Sequence, residues 1–175
     1  MDALTHVFLP LTIAYAVCDD VFERPQYLAL GGFGLLADSD KLLGQPGLLH
    51  SLTVLVPISL GLLLIERKWR GEMILSGLTV AFIMSHLVLD FIDGGPVPLF
   101  YPFSRAGIGL TYPVQVSFGE GILGVAFQGP FVALTGAEPR PGFNSYGFLN
   151  SFGIASLLAF LTVYFGDTGR SDSQS

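Results

Sequence analysis

The sequence predicts an all-α, polytopic membrane helical bundle, and three observations carry that prediction. Hydrophobic residues fill 51% of the 175 positions and charged ones only 13%, against roughly 25% charged in soluble globular domains. The apolar residues gather in five or six blocks separated by short polar stretches, the pattern of membrane spans joined by turns. A chain of 175 residues is used up by such a bundle, with no room for a separate soluble domain. Residues 1–165 therefore read as one transmembrane helical domain and 166–175 as a disordered polar tail.

The blocks follow in order. Ala3 to Cys18 and Tyr27 to Ala37 form a first helical hairpin, kinked or partly inserted because Pro10 interrupts one arm and Gly31, Gly32 and Gly34 the other. Leu48 to Ile65 and Met73 to Ile92 form a second hairpin. Eighteen residues rise about 27 Å, close to the hydrocarbon thickness, so both arms are expected to span. A Gly/Pro-rich connection through Pro113 leads to Val114–Leu134, read as an irregular fifth helix broken by Glu120, Gly121, Gly124 and Pro130. Phe148 to Phe165 closes the set as a spanning helix. No repeat of fixed period runs through the chain.

Charge and cysteine content narrow the function classes. A net charge of −6 speaks against nucleic-acid binding. The single Cys18 excludes an internal disulfide and a thiolate zinc site, so any metal needs His and carboxylate ligands. The first charge is Asp2 and the first basic residue Arg24, unlike a cleaved signal peptide, so the first block is expected to be retained. The densest basic set, Arg67, Lys68 and Arg70, marks its turn as cytoplasmic. Arg24 and Arg140 then fall inside, and Lys41, Arg105 and Arg170 outside.

The hairpins bring all three histidines, His6, His50 and His86, to the external side. Asp38 and Asp40 end the second block there, and His86, Asp90 and Asp93 share one helix face at i, i+4 and i+7. Ionisable groups at the edge of an apolar zone are costly unless paired, hydrated or bound to a cation, so the cluster points to function. Imidazole and carboxylate suit zinc, and carboxylate-rich sets also suit manganese or iron. Simpler readings stand beside this one. His6 alone reads as an interfacial residue, Asp38 and Asp40 as solvated caps, and Asp93 as a helix stop. Arg105 reads as a headgroup anchor or an anion contact. Ser51 beside His50 lacks the G-x-S-x-G elbow of a nucleophile.

At these residues the chain resembles the family of predicted membrane-bound metal-dependent hydrolases, also described as LexA-binding, inner-membrane-associated hydrolases. The carrying blocks are Thr5-His6, Ala37-Asp38-Ser39-Asp40, Leu49-His50-Ser51, Ser85-His86 through Asp90, and Gly94-Gly95-Pro96-Val97-Pro98-Leu99 through Tyr101-Pro102-Phe103-Ser104. They span about the first 105 residues. Ala37 stands where the family pattern has proline, Lys41 where it often has histidine, and Asp93 where it often has Thr or Ser. The resemblance implies a divalent-metal site drawn from His6, Asp38, Asp40, His50, His86 and Asp90, with Asp90 and Asp38 as catalytic carboxylates. An ester or phosphoester of a lipid or lipid-linked substrate fits the bilayer setting best. An ion- or proton-handling transporter and a catalytically silent scaffold are the competing classes. The sequence leaves the substrate and oligomeric state open.

Overall fold

The computed structural model describes residues 2–41, 43–45, 47–93, 96–110, 114–119, 121–127, 132–135 and 150–171. The chain is mostly helical. Helix α1 spans Ala3–Val17, α2 Leu52–Arg70, α3 Ile74–Ile92 and α4 Ser151–Ser171. Among the described residues only α3 is long and apolar enough to cross a bilayer; α1 and the Ser151–Gly166 part of α4 are apolar but shorter.

Local chemistry sets the helix ends. Asp2 caps α1, its carboxylate accepting from Leu4 N (3.1 Å) and Thr5 N (3.2 Å), which satisfies amides that lack partners in the first turn. Gly71, left-handed at φ +74°, terminates α2. At the start of α3, Glu66 reaches across the turn to accept from Leu75 N (3.3 Å) and Ser76 N (2.6 Å). Asp93 is the C-cap of α3, as a helix stop there requires.

Two expectations are corrected. The second apolar block is not α-helical but a 3-10 segment, Pro25–Leu35, followed by a shorter one, Ala37–Asp40. Three glycines in the block lower its α-helix propensity, and the path it takes lets Gly34 lie directly on the backbone of α1. A Cβ at Gly34 would overlap the carbonyl oxygen of His6. The stretch Val114–Leu134 is not a helix either. Strands β2 (Val114–Gly119) and β3 (Gly121–Phe127) form an antiparallel pair, with a register shift at Ser117/Phe118. Strand β4 (Val132–Thr135) pairs antiparallel with β1 (Gly107–Leu110). The alternation Val114, Val116, Phe118 has a strand's period of two, and Gly119, Gly121 and Gly124 disfavour a helix. Glu120, Gly94, Gly95 and Arg140 lie outside the described residues. Helix α4 continues past Phe165 into the segment expected to be polar tail.

Two apolar clusters hold the helices. Leu11, Tyr15, Phe22, Phe82 and Phe160 join α1, α3 and α4. Ala37, Leu55, Ile83, Leu87 and Val97 join the short 3-10 segment, α2, α3 and the loop before β1. Gly153 lets α4 approach the α1 cap, because a Cβ there would overlap the Asp2 carboxylate.

Candidate metal centre

The second cluster lies beside the polar residues singled out by sequence. His6 comes from the first turn of α1, His86 and Asp90 from the last turns of α3, Asp38 from the short 3-10 segment and His50 from the turn ahead of α2. His6 and His86 stack at a centroid distance of 4.0 Å, and His50 meets His86 edge-on at 5.1 Å. Ligand atoms of His6, His86 and Asp90 lie within 4.8 Å of one another, as do those of Asp38, His50 and His86.

Each imidazole is oriented through its Nδ1. His6 Nδ1 donates to the Asp2 carbonyl at 2.9 Å, and His86 Nδ1 to the Gly34 carbonyl at 2.6 Å. His50 Nδ1 donates to Asp40 Oδ2 at 2.9 Å. A carbonyl can only accept, so in neutral His6 and His86 the proton sits on Nδ1 and the Nε2 lone pair faces the cluster. There, His6 Nε2 lies 3.1 Å from Asp90 Oδ1, and His86 Nε2 lies 3.3 Å from Asp90 Oδ2. His50 Nε2 lies 3.6 Å from Asp90 Oδ2 and 3.7 Å from Asp38 Oδ1. His86 Nε2 is also 3.8 Å from Asp38 Oδ2 and 3.3 Å from His50 Nε2.

Burial disfavours a charge on His50, yet hydrogen bonds to Asp40 and Asp90 and their negative charge outweigh it, pushing its pKa up to about 9. The His50 proton then lies among the converging Nε2 atoms and carboxylates, where a bound cation would also go.

Asp40 stands behind the cluster. Fully buried, it organises the turn by accepting from Gly47 N (2.8 Å) and Leu49 N (3.2 Å) besides His50. Positive φ at Gly44 and Gly47 lets the chain fold around it. Asp38 pairs with Lys41. Ser51 is committed to structure, donating to the carbonyls of Leu99 (3.2 Å) and Tyr101 (2.5 Å), which ties the start of α2 to the loop after α3. Arg105 is exposed.

Sequence reasoning missed Asp2 and Gly34, whose carbonyls aim two of the three imidazoles. An acidic residue just ahead of an apolar run signals the Asp2 cap. Nothing in the sequence signals a backbone carbonyl as a ring anchor.

A family model, described as YdjM inner membrane protein, matches residues 1–168. The chain belongs to the YdjM inner membrane protein family. The match covers the strands and most of α4 as well as the His/Asp blocks, well beyond the first 105 residues, and makes this a membrane-associated protein. No curated protein and no solved structure matches the chain.

Proposed function

We propose that this YdjM-family protein is a multi-pass membrane hydrolase whose His6, His50, His86, Asp38 and Asp90 hold a divalent metal, zinc foremost, with manganese or iron next. The observation that carries the reading is the committed Nδ1 of every histidine. Three Nε2 atoms are thereby turned towards two carboxylates, an arrangement that a cation stabilises and that resembles the outer-shell anchoring of metal-bound histidines. Asp40 acts through His50 as a positioning residue.

A metal bound there supplies Lewis acidity and lowers the pKa of water. The chain's own groups supply the rest. Asp90, its side chain 23% exposed against 1% for His6, would take a proton from attacking water through the carboxylate oxygen that the metal leaves free. Asp38 is steadied by Lys41, whose ammonium adds positive charge beside the site and favours an ester carrying negative charge. Lipid or lipid-linked esters and phosphoesters suit an enzyme of the membrane. Transport fits less well, because apolar Phe82, Ile83 and Leu87 adjoin His86 along α3, whereas a proton or ion path needs polar groups across the full depth.

Elemental analysis of gently purified full-length protein tests the reading. Wild type should retain roughly one zinc-class divalent metal per chain, and His86→Ala should lose it. A wild-type protein that holds no divalent metal after reconstitution sinks the proposal.

The multi-pass topology rests on α1, α2 and α4 exposing large apolar residues such as Ile13, Leu60, Leu64, Leu158 and Phe165, a surface suited to lipid. With the Arg67–Arg70 turn inside, the His/Asp cluster faces outside and Cys18 lies inside. Cys18 is the only cysteine and is exposed. An impermeant maleimide should label it only after permeabilisation, and prompt labelling of intact cells would reverse the orientation.

A further inference from the structure

At the end of α3 far from the histidines, a cavity of about 340 Å³ opens between the last turns of α2, the first turns of α3 and Phe33. Phe33, Leu62, Ile65, Trp69 and Leu75 give it an apolar wall, with Glu66, Arg70, Ser76 and Thr79 as its polar members. The polar groups of the wall are mostly turned inward to the protein. Glu66 accepts from Leu75 N, Ser76 N and Ser76 Oγ, and Thr79 Oγ1 donates to Leu75 O. The other charge on the wall is Arg70, which also acts on Glu66 and continues into exposed Arg67 and Lys68, with exposed Glu72 two positions beyond it. Three of the chain's eight basic residues thus stand within four positions, in a chain of net charge −6. A second cleft of about 350 Å³ is lined by Ala29, Gly32, Leu35, Leu36 and Ser39 and shares Phe33 with the first.

We propose that this groove binds an anionic glycerophospholipid, with acyl chain in the apolar cavity and phosphate at Arg70 and its basic neighbours. An occupant must be apolar along its body and anionic at one end, which is the chemistry of such a lipid. Guanidinium groups suit phosphate oxygens, and juxtamembrane basic clusters draw anionic headgroups. Trp69, 80% exposed beside the cluster, fits the headgroup level that indole prefers. Phe33 lines both clefts, which would take the two acyl chains of such a lipid.

Trp69 is the only tryptophan, which makes the test direct. Full-length protein in detergent micelles is titrated with phosphatidylglycerol or phosphatidylcholine brominated on the acyl chains, and Trp69 fluorescence is read. Phosphatidylglycerol, the anionic lipid, should quench at about tenfold lower mole fraction, and native mass spectrometry should find it retained on the chain. The triple variant Arg67→Gln, Lys68→Gln, Arg70→Gln should quench equally with both lipids. Thr79→Phe keeps every charge but fills the cavity, and should reduce both quenching and retention; Thr79→Leu serves the same arm if the larger ring prevents folding. Equal quenching of wild type by the two lipids, or a preference that survives the triple substitution, overturns the proposal. So does unchanged retention in the folded cavity-filling variant, which would leave only general attraction of a basic turn to an anionic surface, and so does retention of neutral lipid alone.

Discussion

Glu66 and Asp90 place carboxylates near opposite ends of α3, and their surroundings differ in kind. Glu66 meets hydrogen-bond donors: two backbone amides and a hydroxyl at the start of the helix. Asp90 meets three imidazoles whose Nδ1 protons are already committed. A buried charge matched by donors is a cap. One facing convergent lone pairs needs a proton or a cation between, so donor–acceptor balance distinguishes a structural acid from a candidate site better than burial does.

The largest expected contrast comes from substituting the two acids. Asp90→Asn should weaken metal retention by roughly 10-fold to 100-fold, as loss of a ligand or of a partner to the histidines does. Chelator competition with purified protein measures it, and unchanged affinity would remove Asp90 from the site. Hydrolysis of lipid esters should fall with metal content and recover in part at high zinc or manganese.

A smaller effect follows from pH. Folding raises the His50 pKa from 6.5 to about 9, so in metal-free protein its stabilising contribution is full below about 6.5 and disappears as pH rises through about 9. A metal bound as proposed would have to displace the same proton. Zinc affinity should therefore climb between these values, by at most about tenfold per pH unit, while metal-free stability declines. Parallel titrations at pH 7 and 8 would show the opposed trends, and a flat affinity would contradict the role given to His50.

The smallest effect marks the other end of α3. Glu66→Gln should lower the melting temperature by only a few degrees and leave bound metal unchanged. Metal loss in a folded Glu66→Gln protein would blur the distinction between the two ends.

The helices were legible because their apolar blocks are long and bounded by polar residues: Met73 to Ile92 predicts α3 to within one residue of Ile74–Ile92. The strands were not, since composition between Val114 and Leu134 matches a broken helix as readily as a pair of hairpin arms until the period of two in Val114, Val116 and Phe118 is weighed. At the candidate site, residue types and the i, i+4 spacing of His86 and Asp90 carried the sequence reading. Asp40 looked equivalent to Asp38, because spacing does not reveal which carboxylate faces the cluster and which turns back to Gly47 and Leu49. Gly34 was visible only as a helix weakener.

The anchoring of the three rings also bears on how this centre could evolve. His6 and His86 are aimed by main-chain carbonyls, of Asp2 and Gly34, so no exchange of side chain alone can grade those hydrogen bonds, and at position 34 a Cβ collides with the His6 carbonyl. His50 is aimed by a side chain, Asp40. Selection on the basicity of the cluster, or on the metal proposed for it, therefore has one adjustable ring and two fixed ones, and the accessible variation should concentrate around Asp40 and its turn.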